Sequence, residues 1–87
     1  MYTVSSRPKI DEIFGRLAKK NPKQLGIISK KLGEVLQNPY RFKPLGNVMK
    51  GFRRVHIDKS FVLVYSVDEE NKTVILEDFD HHDNIYR

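Results

Sequence analysis

With 87 residues, 39% of them apolar, the chain has material for a single domain, residues 1–87, built on one core. It has no cysteine, which excludes disulfides and cysteine-based metal sites. Its net charge of +5 is unevenly divided: residues 1–59 carry +10 and residues 60–87 carry −5. A basic body of this kind suits a polyanionic partner, either nucleic acid or an acidic protein, against the plainer alternative of a surface that is merely charged.

In so small a chain the lack of cysteine favours a reducing cytoplasm. The opening MYTVSSRPKIDE shows no basic-then-apolar targeting pattern. No apolar run reaches the ~18 residues that a membrane span needs, so no membrane is expected as a partner.

The stretch YTVSS alternates and is β-branched, and reads as a short first strand. A helix follows, opening at Ser6 or Arg7 with Pro8 in its first turn, where a missing N–H costs nothing. Asp11 and Glu12 near its start and Lys19 and Lys20 at its end suit the helix dipole. Ile10, Ile13, Phe14 and Leu17 fall on one stripe. A second helix repeats the plan: Asn21 caps it, Pro22 opens it, and Asn38 and Pro39 end it. Its apolar face is Leu25, Ile28, Leu32, Val35 and Leu36, and the short link makes the pair an antiparallel hairpin. Gly26 and Gly33 each weaken the second helix by about 1 kcal/mol. They are expected to repay this by letting the helices approach closely.

The run YRFKPLGNVMKG reads as a loop, made basic by Arg41, Lys43 and Lys50. Three strands then follow, FRRVHI, FVLVYSV and TVILEDF, separated by polar turns in an antiparallel meander. The class is therefore α+β in the order β-α-α-β-β-β, with the helical hairpin on one face of a small, mainly antiparallel sheet. The other face is partly free and is the expected place for a site.

Alternation puts Phe52, Arg54 and His56 on one side of their strand and Arg53, Val55 and Ile57 on the other, core side. It puts Phe61, Leu63, Tyr65 and Val67 opposite Val62, Val64 and Ser66. It also sets Val74, Leu76 and Asp78 opposite Thr73, Ile75, Glu77 and Phe79. Histidine titrates near neutrality and is a natural proton shuttle. RNA cleavage by side chains alone needs a base for the 2′-OH, cations for the phosphorus oxygens and an acid for the departing 5′ oxygen. His56, His82, Arg53, Arg54 and Lys43 can supply these if the tail lies beside the FRRVHI strand. The bland readings are a structural or merely exposed histidine, a Tyr86 that serves as a lid, and arginines that solvate a strand or meet an acidic partner. The DFDHHD run holds metal-ligand types, but neighbours in extended chain point apart, so neither a metal nor a cofactor is assigned.

The stretch KPLGNVMKGFRRVHIDKSFVLVYSV, followed by VILEDFDHHDNIY, resembles the RelE/ParE superfamily of toxins from toxin–antitoxin pairs, most closely its YafQ-like branch. Pro44, Leu45, Lys50, Gly51, Phe52, Arg53, His56, Phe61, Leu63 and Tyr65 carry the first part of the likeness, and His82 and Tyr86 the second. The resemblance implies a ribosome-dependent endoribonuclease that enters the A site and cuts mRNA by attack of the 2′-OH, without metal. It also implies an acidic antitoxin as partner, with which the chain would form a complex such as a heterotetramer. His56 and His82 match the branch's active-site histidines and Tyr86 its C-terminal aromatic. Phe61 matches an aromatic that stacks on a base, while Lys50, Arg53 and Arg54 go to substrate binding. Two departures matter: Lys43 stands where the branch often has a histidine, and Ser60 where it often has an aspartate. His56 is then the first choice for base and His82 for acid, the reverse being open, with Lys43 steadying the phosphate or taking the base role. Two alternatives stand beside this reading: a ParE-like toxin that poisons DNA gyrase, and an inactive relative that only binds its partner.

Overall fold

The structure, a computed structural model, describes residues 1–46 and 51–86. Strand β1 (Thr3–Ser6) leads into helix α1 (Pro8–Lys20) and helix α2 (Pro22–Gln37). Strands β2 (Phe52–Ile57), β3 (Phe61–Asp68) and β4 (Thr73–His81) follow, and a short helix α3 (His82–Ile85) ends the described chain. The sheet runs β1-β4-β3-β2, with β1 parallel to β4 and the other pairs antiparallel. This is the expected class and order; α3 is an addition that the sequence reading did not contain. None of the described helices is long and apolar enough to cross a membrane.

Proline sets both long helices. Pro8 opens α1 behind an extended Arg7, and Pro22 opens α2 behind Asn21, whose side-chain oxygen accepts the Gln24 N–H at 3.1 Å. One residue separates the helices, so they fold back on each other and lay their stripes on the sheet. Ile10, Ile28 and Val35 are buried against Val55, Ile57, Leu63, Tyr65, Val74, Leu76 and Phe79. Each such side chain stabilises the fold by about 1.5–3 kcal/mol. Tyr65 extends across this core and its hydroxyl donates to the Pro39 carbonyl at 2.5 Å, fastening the exit of α2 to the sheet.

Three expectations change. No atom of another element lies within 4 Å of where a Cβ would sit on Gly26 or Gly33, so the close helix approach expected there is not formed. The run after α2 is not wholly free: Arg54 N–H donates to the Lys43 carbonyl and Leu45 N–H to the Phe52 carbonyl, which ties residues 43–45 to the outer edge of β2. Finally, strict alternation fails in β4. Tyr65 pairs with Leu76 but Val64 pairs with Asp78, so Glu77 is an extra residue in a β-bulge. Beyond it Phe79, not Asp78, continues the core face, because an apolar ring gains from burial what a carboxylate loses. Glu77 is anchored in turn by Arg7 at 2.8 and 3.2 Å and by the Ser66 hydroxyl at 2.7 Å.

Candidate active site

The helices cover one face of the sheet. On the other, Arg54 pairs across β2 and β3 with Val64, and His56 with Val62. These two valines are fully buried yet stand outside the helix-side core, and α3 packs against β3 and β4. The bulge controls what arrives there. Unbroken alternation would carry His82 to the side of Leu76; the extra residue puts Phe79 and His81 on that side and His82 opposite. The His82 N–H then donates to the Ser60 carbonyl at 2.7 Å, fixing the start of α3 to the β2–β3 turn.

His56 and His82 therefore stack, with ring centroids 6.1 Å apart and planes 24° from parallel. Tyr86 lies one helical turn on, its ring 4.5 Å from that of His82 and 5.7 Å from the Arg54 guanidinium. Its hydroxyl is buried and has no hydrogen-bond partner among the described residues. Desolvation holds the His56 pKa below the usual 6.5, with repulsion from Arg54 and then His82 adding to it. A neutral His56 imidazole beside a permanent cation can accept a proton at neutral pH. His56 and Arg54 also border a cleft of about 520 Å³ whose other cations are Lys43, Arg41 and Lys31. Arg41 belonged to the basic loop in the sequence; Lys31 is brought in by α2, and no local pattern marked it.

The remaining candidates lie elsewhere. Phe61 shares the face of Leu63 and Tyr65, as alternation requires, so its ring is on the helix side of the sheet. There it stacks 5.4 Å from Phe79 and faces a separate cavity of about 430 Å³ against α1. It does not join the histidine pair. Arg53 is on the core side too, and is engaged: its Nη1 donates to the Phe42 carbonyl at 2.7 Å, and its guanidinium lies 5.1 Å from the Tyr40 ring. That geometry holds the loop on β2 and keeps Arg53 out of the cleft. Lys50 lies outside the described residues. His81 packs edge-on to Phe61, and its Nδ1 accepts the Asp83 N–H at 3.2 Å, capping α3. Among the described residues no group of three or more His, Asp or Glu is arranged to hold a metal ion.

Two imidazoles and a guanidinium on one face, bordering a basic cleft at the β2 edge, are the parts from which acid–base chemistry on a phosphodiester can be built. Comparison with known proteins gives the family. Residues 1–86 match the family described as the ParE toxin of type II toxin–antitoxin systems, parDE. A Methanocaldococcus jannaschii protein named "Putative toxin RelE4" is 54% identical over 87 residues, which are 100% of this chain and 93% of that protein. In the RelBE2 toxin–antitoxin complex of Mycobacterium tuberculosis, one chain is 26% identical, with a TM-score of 0.76 over 92% of this chain and 96% of that one. A YoeB/ParE toxin from Agrobacterium tumefaciens shares the fold with a TM-score of 0.83 at 13% identity, over 92% of this chain and 98% of that one. The chain belongs to the RelE/ParE family of toxins of type II toxin–antitoxin systems.

Proposed function

We propose that the protein is an endoribonuclease that cuts mRNA on the ribosome by acid–base catalysis, held in check by an acidic antitoxin. The observation that carries this is the stack of His56 on His82, beside Arg54 and open to the basic cleft. His56, kept neutral by its lowered pKa, takes the proton of the 2′-OH. The 2′ oxygen attacks phosphorus and the bond to the 5′ oxygen breaks. His82 gives that oxygen its proton, leaving a 2′,3′-cyclic phosphate and a 5′-hydroxyl. Arg54 and Lys43 offset the charge that builds on the phosphorus oxygens. Tyr86 walls the site and orients His82 through their ring contact. Solved relatives in complex with their antitoxins, and the net charge of +5 here, support the acidic partner.

The test is mapping of mRNA 5′ ends after brief induction. The natural chain is expected to create new ends within translated codons, and His82→Ala to abolish them, a loss of at least about 100-fold for removal of an acid–base group, while antitoxin binding persists. The ParE description of the matched family favours a second reading, gyrase poisoning. Growth arrest with DNA breaks, intact mRNA and an equally toxic His82→Ala would replace the first reading by the second.

A further inference from the structure

We infer that the cleft between α2, the loop before β2 and His56 is a binding subsite for an RNA phosphate flanking the one that is cut, with Lys31 and Arg41 as its outer ligands. The inference rests on the nuclease reading above. His56 and Arg54 border both places: His82 and Tyr86 approach them from α3, whereas the cleft opens on their other side and includes neither. A strand whose reacting phosphate lies at the histidine pair therefore continues into the cleft. Five of the residues that line it, Lys31, Arg41, Lys43, Arg54 and His56, are basic, and no carboxylate lines it among the described residues.

Lys31 and Arg41 are held in place by one carboxylate. Glu34, on the same helix as Lys31, lies 3.8 Å from the Lys31 ammonium and 3.3 Å from the Arg41 guanidinium. Arg41 also leans on Phe42, 5.6 Å from its ring. Arg41 is exposed and Lys31 and Glu34 are partly exposed, so these ion pairs are weak and can be exchanged for a phosphate. Glu34 is then a resting counter-ion that positions the two cations and competes with RNA for them. The Lys31–Glu34 pair is legible as helix neighbours, but Arg41 is not, because it reaches them only when the chain leaves α2 and turns back at Pro39.

The experiment is anisotropy-detected binding of a short single-stranded RNA, 2′-O-methylated so that it cannot be cut, across a salt series. Lys31→Ala and Arg41→Ala are each expected to weaken binding several-fold and to reduce the salt slope by about 0.7, the value for one phosphate contact on a single strand. Lys19→Ala, an equal charge loss at the far end of α1, is expected to do neither. Glu34→Gln is expected to tighten binding more than Glu12→Gln, which changes the net charge equally. Equal effects for cleft and control substitutions, or no RNA binding at all, would overturn the subsite. So would an equal effect of Lys31→Ala and Arg41→Ala on binding of polyglutamate, which would make the cleft a surface for acidic protein. Cleavage is not read in this assay. A subsite that passes while His82→Ala still cuts mRNA leaves the binding inference standing and removes the proposed catalysis.

Discussion

A histidine stacked on a second histidine and flanked by an arginine is poorly placed to carry a proton. For His56 the three causes act in one direction, desolvation first, then Arg54, then His82. Removing Arg54 subtracts one of them. Arg54→Ala is therefore expected to move the His56 titration upward, toward 6.5, in an NMR titration of the ring protons; an unchanged midpoint would mean that Arg54 does not act on His56 in solution. The same sign holds for stability. The unfolded chain takes up this proton more readily than the folded one, so the fold weakens as pH falls below about 6.5, and the loss is complete below the folded pKa. In the proposed mechanism this lets His56 stay unprotonated, and so able to accept a proton, to lower pH than a free histidine.

At the scale of elements, the sequence showed what depends on local pattern. Both helices start at their prolines and end near the residues that periodicity indicates, because caps and stripes are properties of neighbouring residues. The three later strands were legible for the same reason. The bulge was not: Glu77 looks like any alternating strand residue, and only competition between Phe79 and Asp78 for the core displaces it. The short helix α3 was hidden because its cap is a histidine nitrogen, outside the usual capping set. Gly26 and Gly33 misled in the other direction. A glycine in a helix suggests packing, yet a side chain at either position would enter open space, so close approach does not explain their cost of about 1 kcal/mol each. The histidine pair was inferred from a motif; the faces of Phe61 and Arg53 followed from alternation alone, and both proved to lie away from it.

Across the whole molecule, distant segments are tied together at Glu69. Its carboxylate accepts the Tyr2 hydroxyl at 3.0 and 2.8 Å, and also the Tyr40 hydroxyl and the Lys72 ammonium. One exposed group thus joins the first residues, the loop after α2 and the β3–β4 turn. The Lys72 hydrogen bond, followed by those of Tyr40 and Tyr2, pulls the Glu69 pKa from 4.5 to about 2, and the Glu69 hydrogen bond pushes Tyr40 to about 12. A depressed carboxyl pKa contributes stability that is fully present above 4.5 and is lost as pH falls toward about 2. Glu69→Gln is expected to remove this part of the acid dependence of thermal unfolding and to return the Tyr40 phenolate transition toward 10. A phenolate absorbance curve that is the same in both proteins would show the cluster to be open in solution.

The β4 bulge bears on how the chain tolerates changes of length. Glu77 and Asp78 share one pairing position, so deleting Glu77 leaves a regular ladder with Leu76, Phe79 and His82 on their present sides. Deleting Asp80, beyond the bulge, shifts every later residue by one step and sends His82 across the sheet. Neither lesion touches a histidine. The first is expected to retain toxicity with some loss of stability, through the lost Arg7 and Ser66 bonds, and the second to be inert at full expression; the reverse ranking in a growth-arrest assay would refute the pairing. The strand therefore tolerates loss of a codon at the bulge and not beyond Phe79.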